Sequence, residues 1–263
     1  LGLFILPLSG LSFLNILYST YFDYFLSIES YTITFFISLM VGLFFCFYGK
    51  NSIKKINFYE QLLLIILVYL ASSIFVSLPY YLSNYQITLV DSVFESFSGL
   101  TSTGFSIFEN IKYLDPTLIL WRSSSQWIGG LYFLIFLILI FSNNQFNYRL
   151  NHLVYTGNLG SVSKSNIKNI ILKIFLVYSL LTLLIFIILN LGSVRLFNSL
   201  NLSMTVISNG GFLPTNSLNQ ILSKNNYYVI AIILLIPTFN IFFLFKFYSK
   251  KNILNNHQED LFL

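Results

Sequence analysis

The sequence is poor in the residues on which water-exposed and metal-binding proteins depend. Only 9% of its 263 residues are charged, one is a cysteine (Cys46) and two are histidines (His152 and His257). Soluble domains carry about 25% charged residues, so this composition cannot cover a surface that faces water. A single cysteine excludes a disulfide framework within these residues, and two isolated histidines provide no zinc spacing and no nucleophile triad.

What the chain does contain is apolar sequence in long runs. Hydrophobic residues make up 56% of it and the mean hydropathy is +0.76, which indicates a polytopic helical membrane protein. A helix needs about 20 mostly apolar residues to cross the hydrocarbon layer. Six runs are predicted to do so: residues 3–18, 33–48, 61–82, 121–141, 170–191 and 228–247.

Lysine and arginine predict how these runs are oriented, because both residues are retained on the cytoplasmic side of a membrane. Ten of the 14 lie after the second, fourth and sixth runs, and four lie in the other loops. We therefore expect both termini in the cytoplasm. The net charge of +5 then reflects topology, and it predicts no nucleic-acid partner.

A polar stretch, FESFSGLTSTGFSIF at residues 94–108, interrupts this apolar sequence. Residues 89–100 are typical of a short amphipathic helix, which Asp91 and Ser92 suit as a start and Gly99 as a stop. About 11 helical residues rise roughly 16 Å, half of the hydrocarbon core, which predicts a re-entrant half-helix. Non-helical backbone at membrane depth must be buried in protein or must line a water-filled cavity. The residues after the half-helix therefore either line a pore or form an ordinary external loop.

A second copy of this pattern follows 107 positions later, within LFNSLNLSMTVISNGGFLPTNS. The shift pairs like residues: Ser96 with Ser203, Ser98 with Thr205, Leu100 with Ile207, Gly104 with Gly211 and Phe105 with Phe212. The sequence thus predicts an all-α membrane protein with two helix–pore loop–helix repeats, as in potassium channels, after an N-terminal transmembrane helix pair. The predicted boundaries are 1–57 for the pair, 58–149 for the first repeat and 150–263 for the second.

The motifs DSVFESFSGLTSTGF, ILWRSSSQWIGG and SNGGF resemble those of the Trk-type potassium uptake family, the TrkH/KtrB superfamily. In that family four such repeats surround one pore, and each contributes a short selectivity-filter segment centred on a glycine. Two repeats are present here. We therefore expect the chain to be a fragment of a longer protein, with one pore completed by two polypeptides as the alternative.

The resemblance implies two filter segments. The first glycine segment comprises Thr101, Ser102, Thr103 and Gly104, and the second comprises Ser208, Asn209, Gly210 and Gly211. The backbone carbonyls of all of them except Ser208 are expected to replace the water around K⁺. Gly104 and Gly211 are expected to take a positive φ, which glycine adopts freely, so substitution at either should affect selectivity in a similar way. One glycine per segment predicts loose selectivity, with Rb⁺ and some Na⁺ admitted.

Three polar side chains are expected to support the pore. Glu95 either lies on the ion pathway or anchors the half-helix through hydrogen bonds, because an acid at this depth needs a partner. Arg122 either repels cations or shapes the pore, or it forms a structural tie to the loop near the outer interface, where its stem can snorkel. Asn240 either hydrogen-bonds the backbone carbonyl that a nearby proline leaves unpaired, or it lines the inner pore. Gly129 and Gly130 are expected only to allow close helix packing.

These features predict the pore-forming subunit of a K⁺ uptake system, located in the bacterial inner membrane. An enzyme is not expected, because no catalytic dyad or metal set is found at membrane depth. The alternative is a non-conducting membrane scaffold or assembly subunit, which would not need two glycine segments in register. The resemblance implies no cofactor, a homodimer and a cytoplasmic nucleotide-binding regulatory subunit. Residues 149–168 and the tail from Lys246 are expected to contact that subunit.

Overall fold

The computed structural model describes residues 1–24, 27–50, 57–141, 164–221 and 226–238, and this part of the chain is helical with connecting turns. Its α-helices, in chain order, are α1 Gly2–Tyr21, α2 Ile28–Gly49, α3 Phe58–Tyr81, α4 Leu89–Leu100, α5 Pro116–Phe141, α6 Lys164–Leu191, α7 Leu196–Ile207 and α8 Asn226–Ile233. The order of long and short helices is that of a helix pair followed by two repeats of helix, half-helix and helix.

Five of these helices, α1, α2, α3, α5 and α6, are long and apolar enough to cross a membrane. They confirm the first five predicted runs, and α1 and α2 are longer than the sequence indicated. The sixth predicted run begins as α8, which ends at Ile233 and is followed by a short 3₁₀ turn, Ile236–Thr238. The remainder of that run, from residue 239, lies outside the described residues.

The N-terminal hairpin is held by small residues on one face of α2. That face places a buried small residue at every fourth position: Ser30, Thr34, Ser38 and Gly42. The hydroxyls of Thr34 and Ser38 donate to carbonyl oxygens one turn earlier, at 2.7 and 2.6 Å, so these polar groups can be buried without a partner on another helix. Small residues allow the two backbones to approach closely, as a membrane helix pair requires.

Asp115 connects this hairpin to the first repeat. It immediately precedes α5, whose first residue is Pro116, a residue suited to the first helical position because its missing N–H needs no partner there. The Asp115 carboxylate accepts from the hydroxyls of Thr117 at 2.8 Å and of Ser27, just before α2, at 3.0 Å. The backbone N–H of Asp115 donates to the Tyr85 hydroxyl at 2.6 Å. One carboxylate thereby caps α5 and links it to the start of α2.

The two half-helices occupy matching positions in the chain. Both ends of α4 and α7 are related by the 107-residue shift, from residue 89 to 196 and from 100 to 207. The turns that precede them match too, since Gln86 and Ser193 both take a positive φ, of 51° and 62°. The predicted bounds of the first half-helix are confirmed, but its cap is Thr88, whose hydroxyl oxygen accepts from the Asp91 N–H at 3.2 Å.

Helix α5 joins the two halves of the described structure. Trp121, Ile128 and Tyr132 face a core shared with α1, α2, α3 and α4. Leu131 and Ile138, on another face, belong to a second core shared with α6, α7 and α8. Since α5 also contacts both half-helices, it holds the two repeats against each other. The domain boundaries predicted at residues 57 and 149 remain predictions.

Candidate functional site

The first glycine segment, residues 101–104, doubles back on the end of α4. The Ser102 N–H donates to the Gly99 carbonyl oxygen at 3.0 Å, and the Thr103 N–H donates to the Ser98 carbonyl oxygen at 3.0 Å. The Ser98 hydroxyl donates to the Phe105 carbonyl oxygen at 2.6 Å. These bonds occupy the Ser98 and Gly99 carbonyls in the last turn of the half-helix and fix the segment beside it.

The second glycine segment, residues 208–211, repeats this arrangement. The Asn209 N–H donates to the Val206 carbonyl oxygen at 3.0 Å, and the Gly210 N–H donates to the Thr205 carbonyl oxygen at 2.7 Å. Each of these four residues lies 107 positions after its counterpart in the first segment. The repeat seen in the sequence therefore extends to individual backbone hydrogen bonds.

The carbonyl oxygens of the two segments are left unpaired. In the described part of the chain, no carbonyl oxygen of residues 101–104 or 208–211 accepts a hydrogen bond. Thr101, Thr103, Asn209 and Gly211 are exposed. Because most of these residues are exposed or half-buried, their carbonyl oxygens are open to water or to another ligand.

The two segments approach each other at their glycines. A Cβ on Gly104 would lie 2.6 Å from the Cα of Gly211, and a Cβ on Gly211 would lie 3.3 Å from the Cα of Gly104. Gly104 has φ +83°, as expected, but the expectation is wrong for Gly211, which has no positive φ. The positive φ that recurs in both segments belongs to Ser102 and Asn209, at 55° and 53°. The left-handed turn thus occurs two residues before each glycine.

Glu95 is fully buried in α4 and bonded to groups beyond its own helix. Its carboxylate accepts from the Arg122 Nε at 2.8 Å, from the Ser106 hydroxyl at 3.1 Å and from the Ile107 N–H at 2.9 Å. A buried carboxylate is tolerated when its lone pairs are satisfied in this way. The structure gives Glu95 the anchoring hydrogen bonds that the sequence analysis expected.

Arg122 connects this carboxylate to the second repeat. Its terminal nitrogens donate to the Ser106 hydroxyl at 2.8 Å and to the Leu213 carbonyl oxygen at 3.5 Å. The guanidinium carbon lies 4.3 Å from the centre of the Phe212 ring. Only 1% of Arg122 is exposed, so the expectation that it snorkels to the outer interface is wrong. The reason is that the guanidinium finds its counter-charge inside the protein, at Glu95.

One face of α5, after Arg122, lies against the end of the first half-helix. A Cβ on Gly99 would lie 2.5 Å from the Ser125 hydroxyl oxygen, and a Cβ on Gly129 would overlap the Leu100 backbone carbonyl. Neither glycine can therefore carry a side chain without moving α4 away from α5. The sequence suggested that Gly99 ends the half-helix. Instead, Gly99 lies inside α4 and allows this contact.

Gly130 lies against the second glycine segment. A Cβ there would be 2.8 Å from the Ser208 Cβ and 2.7 Å from the Tyr178 hydroxyl. The expectation that Gly130 only packs helices is wrong, because its neighbour is the first residue of the segment itself. Gly129 and Gly130 thus place α5 against the last residue of α4 and the first residue of the second glycine segment.

Gln126 is a site residue that the sequence analysis did not single out. It is fully buried, and its side-chain oxygen accepts from the Phe212 N–H at 3.2 Å. Its amide group fills the space where a side chain on Gly210 would lie. A signal was available in the sequence, since a glutamine in an apolar run, three residues before a Gly-Gly pair, needs a buried partner.

The segments that follow the two glycine segments are also joined. The Asn216 side chain accepts from the Ile111 N–H at 2.7 Å and donates to the Asn110 side-chain oxygen at 3.1 Å. These bonds tie the two returning loops together. Of the predicted supporting residues, Asn240 lies outside the described residues, so its two alternatives stay predictions.

Membrane-length helices, two half-helices in register and two glycine segments define a multi-pass membrane protein built of helix–pore loop–helix repeats. The chain belongs to the TrkH family of cation transport proteins, whose family model matches residues 27–260. This confirms the family resemblance seen in the motifs.

Similar proteins support the same assignment. A protein named uncharacterized cation transporter, from Methanocaldococcus jannaschii, is 32% identical over 192 residues, which cover 70% of this chain and 39% of that protein. The Trk system potassium uptake protein TrkH of Escherichia coli K12 is 25% identical over 232 residues, covering 86% and 47%. The crystal structure of the potassium transporter TrkH from Vibrio parahaemolyticus shares the fold, with a TM-score of 0.69 at 22% identity over 93% of this chain and 47% of that one. The chain thus spans about half the length, or less, of these relatives.

Proposed function

We propose that this chain contributes to the pore of a K⁺ uptake protein, with the carbonyl oxygens of the two glycine segments as ion ligands. The single observation that carries this proposal is the pair of matched segments, 101–104 and 208–211, whose carbonyl oxygens accept no hydrogen bond from the described residues. K⁺ sheds its water only where other oxygens replace it, and rings of backbone carbonyls can do so. The named potassium uptake proteins among the relatives support K⁺ as the ion.

The half-helices add to the attraction for a cation. Each glycine segment follows the C-terminal end of α4 or α7, and that end of a helix carries a partial negative charge. The Thr101 and Thr103 hydroxyls bond each other at 2.7 Å, and the Thr101 hydroxyl also lies 2.8 Å from the Phe97 carbonyl oxygen. These hydroxyls therefore serve to support the segment, which leaves ion binding to the backbone.

The first prediction tests transport itself. The natural gene product that contains this sequence, expressed in potassium-uptake-deficient bacteria, should restore growth at low K⁺ and drive Rb⁺ uptake that K⁺ competes with. Na⁺ should compete measurably, though less than K⁺, because loose selectivity is expected of segments that are each centred on one glycine. Normal membrane expression without Rb⁺ uptake would favour the non-conducting scaffold and reject the proposal.

Partners and orientation follow from the resemblance and form a second prediction. We propose a homodimer in the bacterial inner membrane, with both termini and the basic segment 149–168, which includes the first turn of α6, on the cytoplasmic side against a nucleotide-binding regulatory subunit. Reversing the charge of Lys164 and Lys168 should then abolish co-purification with that subunit. Charge reversal of the exposed Lys112, predicted to lie on the opposite face, is the matched control. Unchanged co-purification of the double variant would contradict the predicted contact.

A further inference from the structure

We infer that Gln126 is a positioning residue that sets the shape of the second glycine segment, and that Gly210 is glycine because the Gln126 amide occupies its side-chain space. This inference rests on the proposed ion-conducting function, because it concerns how one half of the ion site is held. It assigns a role in selectivity to a side chain of α5 that lies behind the segment.

The contact between the two residues is too close to admit a side chain. A Cβ on Gly210 would lie 2.5 Å from the Gln126 amide carbon and 2.8 Å from its nitrogen, and closer still to its oxygen. All three atoms belong to a side chain that is itself fully buried. An added methyl group would therefore displace the amide, and with it the atoms that contact the segment.

The hydrogen bond to Phe212 fixes which way the amide is turned. The Gln126 oxygen accepts from the Phe212 N–H at 3.2 Å, on the residue that directly follows the segment. The amide nitrogen is buried and has no partner among the described residues. Among the described residues, the bond to Phe212 is therefore the hydrogen bond that orients the amide.

The first segment is held differently at the equivalent place. The residue 107 positions before Gly210 is Thr103, which is exposed and whose hydroxyl bonds to that of Thr101 at 2.7 Å. The two segments therefore share their backbone pattern but differ in support. One is held by its own threonines, and the other is held by an amide from α5.

Replacing Gln126 by methionine tests this role, because methionine has a similar volume but neither accepts nor donates as the amide does. The Phe212 N–H then loses its partner behind the ion site. In the natural gene product we expect the preference for Rb⁺ over Na⁺ to be largely lost, because the second segment is no longer held in shape. Total surface expression should stay close to that of the unchanged protein, so the effect is on selectivity rather than on folding alone.

A second pair of variants tests the contact between the two side chains. Gly210→Ala alone should abolish most Rb⁺ uptake, and Gly210→Ala with Gln126→Ala should restore uptake, since the added methyl group then has space. Selectivity should stay low in the double variant because the hydrogen bond to Phe212 remains lost. Gly10→Ala is the matched control, because a Cβ on Gly10 would meet nothing within 4 Å.

The outcomes separate this inference from the proposed function. No Rb⁺ uptake by the unchanged protein would reject the proposed function. Uptake by the unchanged protein, together with normal selectivity of Gln126→Met, would overturn the inference alone. If Gln126→Met fails to reach the membrane, Rb⁺ uptake by the Gly210 variants tests the inference instead. Equal uptake by Gly210→Ala and the double variant would overturn the inference, and recovery in the double variant alone would support it.

Discussion

Replacing Glu95 by glutamine, or Arg122 by leucine, is expected to abolish ion uptake. Each change leaves the other partner charged in a site where the two side chains are 0% and 1% exposed. Breaking a buried ion pair by removing one partner costs about 3–5 kcal/mol of stability. Breaking the pair also disturbs both repeats. Glu95 accepts from the Ile107 N–H after the first glycine segment, and Arg122 donates to the Leu213 carbonyl oxygen after the second. Rb⁺ uptake and the melting temperature of the purified protein measure the two effects.

Replacing both residues together separates stability from function. An apolar pair, Glu95→Leu with Arg122→Met, removes both charges, and such replacements are often neutral for stability. We expect it to recover expression and melting temperature but not the preference for K⁺ over Na⁺, since Ser106, Ile107 and Leu213 lose their partners. Arg195→Gln, at an exposed arginine before α7, is the control and should change little. Normal selectivity in the apolar double variant would show that the pair only stabilises the fold.

Gly104→Ala is the second change for which a large effect is expected. Gly104 has φ +83°, a conformation that costs a residue with a Cβ about 1–2 kcal/mol. Its added methyl group would also lie 2.6 Å from the Gly211 backbone, so one segment must move away from the other. We expect loss of most Rb⁺ uptake and a marked rise in competition by Na⁺ in whatever uptake remains, measured at equal surface expression.

Gly211→Ala should have a clearly smaller effect than Gly104→Ala. Its Cβ would lie 3.3 Å from Gly104, and its backbone has no positive φ, so no conformational strain is added. The two glycines, which the sequence presents as equivalents, are therefore expected to differ in severity. Gly10→Ala again serves as the neutral control. Equal loss at both positions, or normal selectivity of Gly104→Ala, would contradict this account of the contact.

The fold could be read from the sequence where the signal is local or repeated. The bounds of α4 follow from its short amphipathic pattern, and the shift of 107 carries them to α7 without a separate signal. The long apolar runs fix the existence of the membrane helices. Their ends were less well placed, because residues such as Tyr21 and Gly49 lie at helix ends where hydropathy no longer distinguishes helix from loop.

The sequence could predict which residues belong to the candidate site, but not which of them contact each other. Glu95 and Arg122 were both found, yet their pairing depends on how α4 packs on α5, which no local pattern states. The link from Arg122 to Leu213 spans 91 residues, and the contact between Gly130 and Ser208 depends on the packing of α5 against α7. Gln126 was missed because a single amide in a helix is also compatible with ordinary helix packing.

Rubidium diffraction tests the central claim most directly. Crystals of the natural gene product grown with Rb⁺ in place of K⁺ should show an anomalous peak bordered by the carbonyl oxygens of residues 101–104 and 209–211. That peak should be weaker in crystals of Gly104→Ala grown in the same way. Rb⁺ bound elsewhere in the protein, with no peak beside either glycine segment, would contradict the account.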